Sequence, residues 1–379
     1  LTSATGPNGV TQTYAYDFLG RPTSVTSPHG ALTTYTYNDT SVPATVTETT
    51  NGKWVRTSLD GLGRPTRVER GYASTVVSIT DTEYAACACS PIGRVKRVSR
   101  PYAPGGTAYW TEYEFDARGR TTKVTPPGNM GFTSYVYEGE TVKVIEPGGT
   151  RWKRFTMDAL GRLVKVTEPR PGAAGQSDDT LYSYNALDRL TTVTMTRAGV
   201  TQTRTFAYDS QMRLASVTQP ENGTVAYTYN ANGQVESRAD ARGARAEYFY
   251  DSYGRLSMVK RYPTSTSSED PVQRTTYVYD SYNYGQNQWG RLAGIEYGHG
   301  LKERFSYTIG GLMADHWLSW SAVGGSDLWL RYQWDNEGKL TWMEYPRAAR
   351  RDSSGNYVTP TSGRHVSCSY DAAGRLVGA

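Results

Sequence analysis

Four histidines, three cysteines and nine tryptophans are the scarce residues of this 379-residue chain, and their spacing limits the chemistry it could perform. His29, His299, His316 and His365 are scattered, and none has a serine, cysteine or carboxylate beside it in a nucleophile motif. Cys87 and Cys89 form a single C-x-C with Cys368 far away, short of the four ligands that structural zinc requires. A bridge across one intervening residue would be cramped, and an odd cysteine total gives no disulfide framework, so both are read as small turn residues. No glycine-rich phosphate loop opens a helix. No catalytic residue, metal or cofactor is assigned. Six of the tryptophans, Trp289 to Trp342, fall within 54 positions. Of these, Trp317, Trp320, Trp329 and Trp334 are candidates for ligand or cargo contact, against the plainer reading of a locally thicker core.

The remaining chemistry is a repeat. Tyr16-Asp17-Phe18-Leu19-Gly20-Arg21 states it in full: an aromatic, an acid or amide, then Gly and Arg at the fifth and sixth positions. Its polar residues return at Asp60, Gly63 and Arg64, at Asp116, Gly119 and Arg120, and at Asp158, Gly161 and Arg162. Tyr208, Asp209 and Arg213 keep all but the glycine, while Tyr250, Asp251, Gly254 and Arg255 and then Tyr370, Asp371, Gly374 and Arg375 are complete. Eleven copies in register and four distorted ones start about 25 residues apart, the range of stacked supersecondary units.

These positions predict a strand, a turn and a second strand per unit. An aromatic commonly stands two residues before the motif aromatic, as at Tyr14, Tyr113, Phe206, Tyr248 and Tyr277, which places both rings on one strand face. A valine five residues after the motif Gly (Val25, Val68, Val124, Val166, Val259) continues the second strand, and a proline at Pro28, Pro101, Pro127, Pro169 or Pro346 closes it. The Asp or Asn side chain can bind amides two residues on, and Gly supplies positive φ. Met212 replaces that Gly, so its turn is expected to be distorted. The motif Arg is expected to pair with a neighbouring unit's Asp and to set register.

Thirty Tyr against seven Phe is a strand vocabulary. Counting Gly and leaving out Tyr, the apolar fraction is roughly 39%, below the ~45–50% of ordinary globular chains, so the core is thin. Net charge is +5 with both signs dispersed, which argues against a nucleic-acid surface. No run reaches the ~18 apolar residues of a membrane span. The fold class is therefore all-β, a long antiparallel hairpin-repeat sheet. About thirty strands exceed what an open twisted sheet holds, so the ribbon is expected to wind into a spiral, hollow shell or barrel-like solenoid rather than a propeller. Residues 1–379 are read as one continuous body with a degraded Trp-rich section at 281–350.

The repeat resembles the YD repeat of the RHS superfamily, found in bacterial RHS proteins, the C component of Tc toxins, wall-associated bacterial proteins and teneurins. The segment Cys87-Ala88-Cys89-Ser90-Pro91-Ile92-Gly93-Arg94, continuing through Arg100-Pro101-Tyr102-Ala103-Pro104-Gly105, is closest in character to the bacterial RHS branch. The resemblance implies a shell that encloses a C-terminal toxic polypeptide, and so a non-enzymatic, secreted or surface-exposed protein that contains, carries or presents a guest. The implied partners are that effector, surface glycans or a secretion apparatus. The family's self-cleaving core and variable effector have no counterpart in this sequence, which reads as an internal piece of shell. An adhesin that binds carbohydrate through exposed Tyr and Trp is the alternative.

Overall fold

A computed structural model describes residues 2–128, 130–264, 268–280, 285–320, 328–345, 350–351, 357–358, 364–371 and 374–379. Pro346 and the side chain of Trp320 lie outside this set. The chain is all-β: thirty strands belong to one antiparallel sheet, and among the described residues the helical content is the single turn Pro271–Gln273.

The chain divides into two compact units. One comprises Leu1–Thr57, Arg70–Val77 and Arg245–Ala379, the other Ser58–Glu69 and Ser78–Ala244. In the second unit, Ser90–Ser99 pairs with Trp110–Phe115, that strand with Thr121–Thr125, and the meander continues to Val235–Ala239. In the first, Ser3–Thr5 to Ala44–Thr50 form one meander and Arg245–Tyr250 to Leu340–Glu344 another, the latter extended by His365–Ser367. Strand neighbours within these meanders are sequence neighbours, as hairpin repeats dictate, except that His365–Ser367 joins Leu340–Glu344 past the separate pair Arg350–Arg351 and Tyr357–Val358.

Register explains the two aromatic positions. The earlier aromatic lies opposite the repeat valine: Tyr14 faces Val25, Tyr113 faces Val124, Phe206 faces Val217 and Tyr248 faces Val259. Aromatic pairs with β-branched partners are favourable cross-strand neighbours, and Val166, Val217 and Val259 are buried beneath them. At the motif aromatic the register shifts, so that Tyr16 faces Pro22 while Ala15 faces Ser24. The same bulge recurs at Phe115, Met157, Tyr184, Tyr208, Tyr229 and Tyr250. A bulge bends its strand and raises the local right-handed twist, so the sequence repeat writes one bend per unit.

The core is thin, as composition demands. The buried apolar side chains are Ala, Val and Ile with a single Phe, Phe305, and no large side chain among the described residues is fully enclosed.

Two local expectations are corrected. Cys87 and Cys89 are joined, with Cα atoms 5.1 Å apart, inside the ordinary disulfide range, and Cys368 is free. Cys87 also pairs with Ser90 in the ladder, so the bridge staples a hairpin end that is already turning. The turn at Met212 is regular: Met212 takes φ +61°, and its amide donates to the Asp209 carbonyl at 3.0 Å, as the motif glycines do. The left-handed conformation costs an L-residue ~1–2 kcal/mol. Met212→Gly is expected to stabilise the protein by about 0.5–1 kcal/mol after the backbone entropy of glycine is set against it. A higher urea midpoint would show it; an unchanged or lower midpoint would mean that the surroundings absorb the strain.

Candidate functional site

Each complete motif closes the same five-residue turn between two strands. Asp17 donates its amide to the Arg21 carbonyl at 2.9 Å, and Gly20 donates to the Asp17 carbonyl at 3.0 Å. Asp17 Oδ1 accepts from the amides of Leu19 and Arg21, both at 2.9 Å, and Oδ2 accepts from Arg21 Nε at 2.7 Å. The ion pair within the turn recurs at 2.7–2.8 Å for Asp60 with Arg64, Asp116 with Arg120, Asp158 with Arg162, Asp209 with Arg213, Asp251 with Arg255 and Asp371 with Arg375. Gly20, Gly63, Gly119, Gly161, Gly254 and Gly374 take φ of +75° to +78°, a conformation that glycine adopts without a Cβ penalty. The arginine therefore pairs first with its own unit's aspartate rather than with a neighbour's. Three arginines add a later acid: Arg21 with Asp39, Arg162 with Asp188 and Arg255 with Asp280.

The rest of the arginine reaches the following unit. Its guanidinium lies over the next motif ring: Arg21 over Tyr37 and Arg64 over Tyr84 at 4.1 Å, Arg120 over Tyr137 at 4.1 Å, Arg162 over Tyr184 at 5.0 Å and Arg213 over Tyr229 at 4.5 Å. The hydroxyl of that tyrosine donates back to the carbonyl just after the arginine: Tyr37 to Pro22, Tyr137 to Thr121, Tyr184 to Leu163 and Tyr229 to Leu214, at 2.8–2.9 Å. One turn thus fixes the next ring from above and at its tip. This explains Tyr over Phe at the motif position, since phenylalanine keeps the stack and loses the tether. Tyr184→Phe is expected to lower stability by about 0.5–1.5 kcal/mol, read as a lower urea midpoint; an unaltered midpoint would remove the hydroxyl from this account.

The turn carboxylates are held below their ordinary value. At Asp60 the Arg64 guanidinium, then the Arg64 amide, hold the group below the ordinary value of 3.8 against partial burial, and the Leu62 amide assists. At Asp158 and Asp209 the arginine amide leads, burial opposes it and the guanidinium adds to it. A depressed folded value means stabilisation that is present above pH ~3.8 and is lost as the pH falls through the folded value.

The scarce residues do not converge. Trp317 and Trp329 pack edge to face with ring centres 4.4 Å apart, and Arg331 covers Trp329 at 4.8 Å. Trp334 instead fills the motif aromatic position, and its Nε1 donates to the Met313 carbonyl at 2.7 Å, in place of the tyrosine tether. Five residues separate Trp329 from Trp334 on strand Leu328–Trp334, so they lie on opposite faces. His316 bonds Glu303 at 2.7 Å and stacks on Phe305, His365 stacks on Trp342, and His29 lies against Gly310. Among the described residues no group of three metal-ligating side chains forms.

A family model for the RHS repeat matches residues 1–32 and 208–245. Those two stretches carry RHS repeats. The fold of the chain also matches two solved structures. One is the TcdB2-TccC3-Cdc42 crystal structure, at a TM-score of 0.69 and 16% identity over 98% of this chain and 19% of that one. The other is a Photorhabdus luminescens Tc holotoxin pore with a TccC3 mutation, at a TM-score of 0.66 and 14% identity over 97% of this chain and 21% of that one. At such identities the likeness is one of fold, and the chain spans about a fifth of the length of those it matches. None of the curated proteins matches it.

A second set of contacts, absent from the sequence reading, joins early repeat units to late ones inside the compact unit that holds both. Ser27 donates to the Asn336 carbonyl at 3.2 Å, and Asn51 Nδ2 donates to Asn336 Oδ1 and to Glu337 Oε1, both at 2.7 Å. Lys53 pairs with Glu337, and Lys339 reaches the same carboxylate at 2.8 Å. Burial opposes the Glu337 charge, but its bonds to Lys339, Lys53 and Asn51 outweigh burial and bring its pKa down to about 2. A single signal existed in the sequence: Lys339 stands where the motif has Arg, and it covers Tyr370 at 5.5 Å as an arginine would.

Proposed function

We propose that this chain is a section of an RHS-repeat shell, secreted or surface-exposed, whose work is to enclose and carry another polypeptide rather than to catalyse. The observation that carries the reading is the fold likeness over 98% of the chain to TcdB2-TccC3-Cdc42. The repeat chemistry agrees with it. Asp, Gly and Arg are consumed in turns and Tyr in tethers between units, which spends the motif on architecture and leaves few groups for catalysis. A sheet with a thin core can present an extended face to a guest, and containment would hide that guest from proteases and aggregation partners. The guest is an effector polypeptide of the same or an associated protein.

Limited proteolysis of the full-length protein tests this. A polypeptide held inside should resist digestion while the repeats are intact and become cleavable once the sheet is loosened by urea. Digestion of every non-repeat segment at the rate of free polypeptide would defeat the proposal.

A further inference from the structure

The hairpin that carries Cys87 and Cys89 overshoots its motif. In the complete motifs the Gly stands four positions after the aromatic, whereas Gly93 stands nine after Tyr84. The added residues prolong the ladder: Ala85 pairs with Arg94 and, after a register shift, Cys87 pairs with Ser90, which leaves Ala88 and Cys89 as the two loop residues. The base of this extension is held without sulfur. Arg64 Nη1 donates to the Ile92 carbonyl at 2.6 Å. A Cβ at Gly93 would lie 2.7 Å from the Ala85 carbonyl oxygen, so the two strands are already in close contact there.

The bridge adds little to that closure. In the chain-entropy account a disulfide stabilises according to the length of unfolded chain it closes, and a bridge over one intervening residue closes nearly the shortest loop possible. It is also within reach of solvent. Cys87 and Cys89 are half-buried, and Ala86, Ala88, Pro91 and Ile92 around them are exposed. No charged residue stands from Ala85 to Gly93. Accessible disulfides are the labile class, open to attack by a thiolate.

We propose that Cys87 and Cys89 form a thiol–disulfide exchange site for cysteines in an apolar polypeptide segment. The thiolate of an incoming cysteine attacks one sulfur of the bridge. A new S–S bond forms to it, the Cys87–Cys89 bond breaks, and the other sulfur leaves as a thiolate that takes a proton from water. A second thiolate of the same polypeptide then attacks the mixed disulfide and releases the remaining cysteine. The polypeptide is oxidised by two electrons to a disulfide, and the bridge is reduced by two to a pair of thiols. The uncharged, exposed surround of Ala86, Ala88, Pro91 and Ile92 favours apolar flanks on the incoming cysteine. The site lies within one compact unit and acts whether or not the chain encloses a guest.

Two synthetic dicysteine peptides, one with leucine and valine beside its cysteines and one with glutamate there, test the proposal. The intact chain carries Cys368→Ser, which removes the free thiol. Under native conditions the apolar peptide is expected to become oxidised mole for mole as Cys87 and Cys89 become open to alkylation, both read by mass spectrometry. It should react about tenfold faster than the acidic peptide, the gain from covering one aliphatic side chain. Adding Cys87→Ser and Cys89→Ser to the same chain should abolish oxidation of both peptides. The urea midpoint of the reduced protein should equal that of the oxidised one. A bridge that opens only in unfolding urea, a midpoint that falls on reduction, or equal rates for the two peptides overturns the proposal.

Discussion

Glu337→Ala is expected to lower the stability of the unit that holds it by about 1–3 kcal/mol at neutral pH, the range for breaking a partly buried, multiply bonded ion pair. The substitution leaves Lys53 and Lys339 facing each other without their shared carboxylate and removes an acceptor of Asn51. The pH dependence carries the sharper signature. The folded value of about 2 lies below the ordinary 4.5. The carboxylate therefore stabilises fully above pH ~4.5, and that contribution fades as the pH falls towards 2. Urea midpoints of wild type and Glu337→Gln should differ at pH 7 and converge at pH 2 to 3. Parallel curves across that interval would mean that the Lys53, Glu337 and Lys339 contact does not hold early and late repeat units together.

Gly298→Ala is expected to be at least as damaging, at about 2–4 kcal/mol. A methyl group there would sit 1.6 Å from the Pro271 carbonyl oxygen and 2.7 Å from its carbon. Both are backbone atoms of the turn Pro271–Gln273, so no side-chain rotation relieves the overlap. Gly298 also donates its amide to the Arg274 carbonyl at 2.8 Å, which ties it to that segment. Displacing it would disturb Tyr297, whose hydroxyl donates to Glu303 at 2.7 Å; that bond, followed by burial, pushes the Tyr297 pKa up to about 12. Thermal unfolding should show a clear fall in midpoint. A loss under 1 kcal/mol would mean that the turn moves aside freely, contrary to the packing described.

Much of the fold was legible because the repeat is local. Tyr, Asp, Gly and Arg within six residues define a turn whose bonds all lie inside the same six residues, and the valine and proline positions set where its second strand runs and stops. The turn tolerates the insertion after Asp280, where the Gly290-Arg291 pair still closes it. Readings that assumed a steric limit failed at Met212 and at Cys87 with Cys89, where the backbone accommodates what residue type alone disfavours. The turn geometry overrides the preference of one residue.

The candidate sites were less legible, for a different reason. Trp317, Trp329 and Trp334 are close in sequence, but an odd spacing along a strand separates Trp334 from Trp329 by the full thickness of the sheet. The bond from Asn8 to the Trp289 carbonyl joins residues 281 positions apart. The sequence by itself determined the unit: an all-β hairpin with a bulge, a glycine turn and an Asp-to-Arg pair, repeated along the chain, because those interactions span a few residues. Only the tertiary structure decided that arginine also stacks on the next unit's ring, that tyrosine tethers back to the turn before it, and that Lys53 finds Glu337. Such contacts depend on the bends accumulated over many units, and no local spacing encodes their sum.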